Sequence, residues 1–292
     1  MQFTKATRKK ARLRLALTGP SGSGKTYSAL LLAKGIGGRI AVIDTEHDSA
    51  SLYAGLPDMP EFDALNLAPP FTPERFTQAV ATAEAAGFDV LILDSITHEW
   101  NGAGGCLELV DEIARAKFKG NSWSAWNEVT PRHRDFLDAM LRSPLHIIAT
   151  MRSKTETAQT EENGRKKVVK LGMKSEQRDG FEYEMTVVLD LVHDGHFATA
   201  TKDRTGLFVN ADPKPISEDT GKALLSWLEE GESQPDLVAI LRGISGSASV
   251  EVLKSNWEAA MQMLPENHHA ALTKAKNHRY RELVPKPETE HA

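Results

Sequence analysis

The sequence predicts an α/β fold: a mostly parallel central sheet between helices, antiparallel strands at the end of that sheet, and a small helical domain at the C-terminus. Three observations lead there. Apolar runs at residues 13–17 (LRLAL), 39–44 (RIAVID), 90–94 (VLILD) and 144–150 (PLHIIAT) have the unbroken hydrophobicity of strands buried on both faces. Stretches of helical periodicity separate them, as crossovers between parallel strands require. Beyond residue 184 the pattern changes to two alternating segments about His193-Asp194-Gly195, and then to helices alone.

The first strand runs into a glycine-rich segment, Gly19-Pro20-Ser21-Gly22-Ser23-Gly24-Lys25-Thr26, and a helix follows from Tyr27 to residue 36. Every fixed position of G-x-x-x-x-G-K-[ST] is present, in the strand–loop–helix context that gives the motif its meaning. Glycines let the backbone curl with its N–H groups inward, and the helix N-terminus adds positive potential. Lys25 is expected on the β- and γ-phosphates of ATP, and the Thr26 hydroxyl on Mg²⁺. Ligands in open α/β sheets sit at the carboxyl ends of strands. Three further strand ends therefore become candidates. Glu46 follows residues 39–44, where a carboxylate can activate water or simply cap a helix. Asp94 ends 90–94 in the manner of a Walker B acid and pairs with Thr26 on the metal. Thr150 and Arg152 end the fourth strand as candidate γ-phosphate sensors.

Between these strands, residues 62–67 read as a short strand, and 72–86, 107–118 and 131–142 as helices. Residues 96–106 and 119–130 read as glycine- and tryptophan-bearing connections. Trp100, Trp123 and Trp126 fit core packing individually, and base stacking as a group. His98 and Glu99 do not form a metal pair by spacing. Asn163-Gly164 marks a hairpin between 157–160 and 166–169. Arg165, Lys166, Lys167, Lys170, Lys174 and Arg178 make this the most basic internal segment. It suits a groove for single-stranded nucleic acid and a solvated hairpin equally well. Lys202 and Arg204 point the same way on the last strand, where they can reach a phosphate of a neighbouring subunit or guard a sheet edge.

Composition sets the outer limits. The chain has 292 residues, 40% hydrophobic and 26% charged, enough for a full core. A net charge of −5 excludes a uniformly basic nucleic-acid coat, so DNA contacts must be local. A single cysteine, Cys106, excludes an internal disulfide and a multi-cysteine zinc site, which fits a cytoplasmic setting. No apolar run reaches membrane-spanning length. The expected division is a basic N-terminal arm at 1–12, an ATPase core at 13–231, a helical domain at 236–284 and a frayed tail at 285–292. Leu253, Trp257, Met261 and Leu264 lie at helical spacing and read as a packing stripe.

The order of these pieces resembles the RecA/RadA recombinase core. Ile43-Asp44-Thr45-Glu46-His47 is similar to the RecA segment bearing the catalytic glutamate, and Tyr53 stands where an adenine-stacking tyrosine follows it. Lys202-Asp203-Arg204-Thr205-Gly206 resembles the K-N-R-F-G signature of RadA, whose cations act across a subunit interface. Residues 97–126 and 153–180 occupy the places of the two DNA-binding loops. Thr150 departs from the glutamine that RecA places there, leaving Arg152 as the candidate substitute. Residues 10–230, with Asp94-Ser95-Ile96-Thr97-His98-Glu99-Trp100, also resemble phage-encoded RecA-like ATPases of single-strand annealing.

The resemblance implies a RecA-like P-loop NTPase core using ATP and Mg²⁺, with single-stranded DNA as partner. It also implies a homo-oligomer, ring or filament, and a single-strand binding protein as a further partner. The expected activity is DNA-stimulated ATP hydrolysis completed across subunits, serving annealing or strand exchange. An ATP-clamped annealing module that needs no hydrolysis, and a RecA-fold ring motor or helicase loader, are the alternatives. A small-molecule kinase fits least, since no acceptor pocket or arginine-rich lid is visible.

Overall fold

The structure, a computed structural model, describes residues 10–162, 165–209, 211–230, 237–264 and 268–284, with backbone alone for 155–173 and 237–239. Most of the basic arm, the segment 231–236 and the tail at 285–292 lie outside the described residues. The chain divides into two compact units, Ala11–Glu230 and a second comprising Met1–Lys10 with Gly231–Ala292.

In the larger unit the strands are β1 (Arg14–Gly19), β2 (Ile40–Asp44), β3 (Asp63–Asn66), β4 (Val90–Asp94), β5 (His146–Glu162), β6 (Arg165–Ser175), β7 (Val187–Leu191), β8 (Phe197–Asp203) and β9 (Lys214–Pro215). The helices are α1 (Lys25–Ile36), α2 (Pro73–Ala85), α3 (Thr97–Asn101), α4 (Cys106–Lys117), α5 (Ser122–Arg142), α6 (Phe181–Glu184) and α7 (Glu218–Glu229). The sheet runs β3-β2-β4-β5-β1-β7-β8-β9. The first six are parallel, and β8 and β9 turn antiparallel at the end. This is the expected mostly parallel sheet with antiparallel strands at one end.

Strict alternation along buried strands supplies two cores. Ala16, Ile43, Leu91, Leu93, Ile147 and Ala149 face α2 and α5 through Phe76, Val80, Phe136 and Met140. Leu15, Leu17, Val42, Ile92 and Ile148 face α1 and α7 through Leu30, Ala33, Leu224 and Leu228. The result is three layers, helix–sheet–helix. Arg14 ties one layer to the sheet. Its guanidinium donates to the carbonyls of Leu13, Leu145, Leu141 and Ser143, satisfying the C-terminal end of α5. Burial lowers its pKa to about 10.

Two local expectations needed correction. The helix expected to start at Pro131 starts at Ser122, and Pro131 lies inside it. Asn121 caps the true start, its side chain accepting from the Ser124 N–H at 3.3 Å. Ala125, Val129, His133, Phe136 and Met140 are buried along one continuous stripe. That burial outweighs the ~3 kcal/mol that an interior proline costs. The hairpin expected from 157 to 169 extends much further, pairing Ser153 with Ser175 at its base and Glu162 with Arg165 near its tip.

Among the described residues the C-terminal unit holds three helices, α8 (Leu237–Ser245), α9 (Val250–Met263) and α10 (His269–Leu283). Leu253, Ala260, Leu264 and Leu272 form its core with Ile244, and Trp257 and Met261 pack against it. The ammonium of Lys276 sits 3.8 Å from the centre of the Trp257 ring.

Helices α1 and α7 cross at Gly35 and Gly221. A Cβ on Gly35 would overlap the Glu218 carbonyl oxygen and come within 2.8 Å of the Gly221 Cα. An alanine inside a helix normally gains up to ~1 kcal/mol over glycine. Here backbone overlap reverses the sign, and Gly35→Ala should cost about 1–3 kcal/mol. A lower urea midpoint checks this; a midpoint at or above wild type would show that the helices cross without close contact.

Candidate nucleotide site

Four adjacent parallel strands, β2, β4, β5 and β1, bring their carboxyl ends to one edge of the sheet, and the candidate residues follow from those ends. After β1 the chain turns tightly through Gly22 (φ 77°) and Gly24 (φ 86°) into α1. Both need the left-handed region that glycine tolerates. A Cβ on Gly19 would strike the Ser23 side chain and the Leu191 carbonyl. The turn between β7 and β8 lies against this loop, with His196 Nδ1 3.1 Å from the Ser23 carbonyl oxygen. Ser23 is buried, while Ser21 is exposed. The Lys25 ammonium donates to the Gly19 and Pro20 carbonyls at 3.0 and 2.9 Å. Burial lowers its pKa, against the pull of Glu46 and Asp94.

Asp94 is the centre of the arrangement. Thr26 Oγ1 donates to its Oδ2 at 2.5 Å, and Thr150 Oγ1 donates to its Oδ1 at 2.5 Å. Burial pushes its carboxyl up, and the two hydroxyls oppose the shift. Thr150, expected as a sensor, is thus engaged with Asp94. Its strand neighbour Arg152 instead reaches Glu46, with Nε at 3.0 Å and Nη2 at 2.9 Å from Oε1. Lys25, Thr26, Glu46, Tyr53, Asp94 and Arg152 share a cavity of about 320 Å³ with Ser21, Gly22 and Gly24. Tyr27 meets Tyr53 edge to face at 5.9 Å on its rim.

Several positioning groups carried no sequence signal. Asp44 Oδ1 accepts from the Glu46 N–H at 2.6 Å, and its Oδ2 from the Ala50 N–H at 2.8 Å. This clamp holds the loop in which His47 and Asp48 adopt positive φ, and so aims Glu46. Thr45 donates its N–H to the Asp94 carbonyl at 2.7 Å, and its hydroxyl accepts from the Ser95 N–H at 2.9 Å. That hydroxyl also pairs with His98 Nδ1 at 2.6 Å. His98 stacks on Phe71 at 5.0 Å, and burial lowers its pKa. Glu99 points elsewhere, to His133 and Cys106.

Other candidates lie away from this cavity. Lys202 pairs in register with Val188, and Asp203 with Val187, at the edge of the sheet opposite the glycine-rich loop. Both cations turn to one place: Lys202 donates to the Glu182 and Tyr183 carbonyls, and Arg204 to the Tyr183 carbonyl. They do not meet the phosphate loop of their own chain. Of the basic hairpin residues, Lys174 and Arg178 line a cleft of about 620 Å³ with Trp100, Asn101, Lys154 and Gln177. The side chains of Arg165, Lys166, Lys167 and Lys170 lie outside the described residues. Trp100 and Trp126 stack at 5.5 Å and pack inward, while Trp123 is 84% exposed. Burial and the charge of Glu99 push the Cys106 thiol up, which removes it as a nucleophile candidate. Among the described residues no helix is long and apolar enough to cross a membrane.

No curated protein matches the chain. Among solved structures, one described as "Crystal structure of the RadB recombinase" is similar at 19% identity, covering 65% of this chain and 81% of that one, with a TM-score of 0.32. A family model for the AAA domain matches residues 11–214, which takes in the glycine-rich loop, Asp94 and the strands between and beyond them. The chain therefore belongs to this family of AAA domains.

Proposed function

We propose that the protein binds and hydrolyses Mg·ATP, binds single-stranded DNA, and uses the cycle in recombination by annealing or strand exchange. The observation that carries the first part is the contact of Thr26 with a buried Asp94 beneath the glycine-rich loop, with Glu46 in the same cavity. A hydroxyl and a carboxylate so placed would hold a hydrated Mg²⁺ beside them, Thr26 as a ligand and Asp94 through the water shell. When bound, Mg²⁺ supplies charge neutralisation at the β- and γ-phosphates. Lys25 leaves its loop carbonyls for the phosphates, and Tyr53 covers the base. Glu46, oriented by Asp44, takes a proton from the attacking water.

The strand β5 supports a link between this chemistry and DNA. It carries Arg152 against Glu46 and, two residues on, Lys154 into the cleft with Trp100, Lys174 and Arg178. A phosphodiester chain held there acts on the strand that positions Arg152, and aromatic faces such as Trp123 suit unpaired bases. Lys202 and Arg204 sit too far along the sheet for their own nucleotide. In this reading they serve a neighbour's γ-phosphate in a homo-oligomer.

A second reading, ATP as a clamp without hydrolysis, draws support from the Glu46–Arg152 ion pair, which occupies the base. Glu46→Gln separates the two. Hydrolysis should fall about 10²–10⁴-fold with ATP binding retained, and annealing should fall with it. Annealing at wild-type yield in that variant favours the clamp, and unchanged hydrolysis removes Glu46 as base. Adding single-stranded DNA to wild type should raise its ATPase rate; an unmoved rate contradicts the link through β5.

Asp94→Asn tests the metal role by opposite signs. Because burial raises its folded pKa, the ionised carboxylate weakens the fold, and that penalty grows as pH rises through the folded value. The neutral amide should melt higher than wild type at pH 8 without nucleotide. It should also lose the Mg²⁺-dependent part of ATP binding. A lower melting point with Mg²⁺-dependent binding intact contradicts both.

A further inference from the structure

We propose that Glu99, Cys106 and His133 form a zinc-binding site that ties together the three helices following β4. The three residues come from α3, α4 and α5. They converge so that one ligand atom of each lies within 4.8 Å of the others. Cys106 Sγ is 3.1 Å from Glu99 Oε1, and His133 Nδ1 is 3.0 Å from Oε1 and 3.2 Å from Oε2. Ligands at ~2.0–2.3 Å from a shared tetrahedral ion stand about 3.3–3.6 Å apart. The two separations to Glu99 Oε1 need to open by only a few tenths of an ångström to admit the ion, and the third, between Cys106 and His133, is within 4.8 Å.

Burial and charge point the same way. Glu99 and Cys106 are fully buried and His133 is 2% exposed, among Val110, Ala125, Val129 and the rings of Trp100 and Trp126. A carboxylate in such surroundings calls for a cation, which either a protonated His133, 3.0 Å away, or a bound metal ion supplies. The nearby guanidinium groups are engaged elsewhere: Arg132 forks onto Glu74, and Arg178 lies over Trp126 and donates to Thr130. Gln177 Nε2 approaches Glu99 Oε2 at 3.4 Å, a neutral contact.

The imidazole adds a further constraint, because His133 Nε2 is buried and has no hydrogen-bond partner. A neutral ring that donates through Nδ1 buries a bare lone pair at Nε2; the centre of the ring lies 5.6 Å from that of Trp100. Ligation through Nδ1 moves the ring proton to Nε2, where an N–H edge beside an aromatic face is tolerated.

The donor set selects the metal. Thiolate, imidazole and carboxylate together suit Zn²⁺ in four-coordination, with water in the remaining position. Binding is balanced by one proton: the Cys106 S–H gives way to a sulfur–zinc bond, and the proton passes to solvent. Since α3 starts three residues after Asp94, the ion fixes the frame on which the Trp100 cleft is built. None of the three ligands belongs to the nucleotide cavity, so the site stands or falls apart from the ATPase reading.

The test uses the full chain, expressed with added zinc and purified without chelator or metal resin. Elemental analysis should find close to one zinc per chain, and much less in Cys106→Ser and His133→Ala. Should those variants fail to fold, wild type alone decides: cobalt(II) added to the zinc-stripped protein should give an intense near-ultraviolet thiolate-to-cobalt band. Wild type with no more than trace zinc and no such band overturns the proposal and leaves the cluster a hydrogen-bonded network.

Discussion

The carboxylate of Asp94 is the point at which one helix and three strands must agree. It is buried, so its two oxygens need partners, and they take hydroxyls from Thr26 at the start of α1 and Thr150 at the end of β5. Its backbone carbonyl accepts from Thr45 at the end of β2. A register slip in any of these strands would break one of the contacts and reverse the faces that fill the two cores. The packing of the sheet and the placing of the phosphate loop are thus one problem with one solution.

Arg152 and the long β5–β6 hairpin extend that logic outward. The strand that supplies Thr150 to Asp94 supplies Arg152 to Glu46 and then leaves the sheet as one arm of the hairpin. A rigid strand with a charged residue at each stage is a short physical path between an outer cleft and the proposed water-activating group. The opposite edge of the sheet carries Lys202 and Arg204, held together on the last carbonyls of α6. In the proposed reading one protomer offers its phosphate loop and its neighbour offers this edge.

Most of the larger unit was legible because its signals are local. Apolar runs that end in acids mark buried strands and place those acids at the ligand edge. The loop from Gly19 to Thr26 states its own geometry. What escaped was set by distance in the chain. His196 supports Ser23 from 173 residues away, and Glu99, Cys106 and His133 meet only because three helices fold together. Asp44 reads as a strand terminus, yet its carboxylate organises the turn that aims Glu46. Pro131 misled because a start signal can also be a tolerated interior residue when a long buried stripe holds the helix.

The claim that hydrolysis is shared between copies has a direct test. Glu46→Gln protein and a Lys202→Ala/Arg204→Ala double variant are each assayed alone and then mixed, with single-stranded DNA present throughout. A shared site predicts that each is nearly inactive alone, and that the mixture hydrolyses ATP well above their sum, because mixed neighbours rebuild an intact site. A double variant that hydrolyses at the wild-type rate by itself, or a mixture no better than its parts, would contradict it.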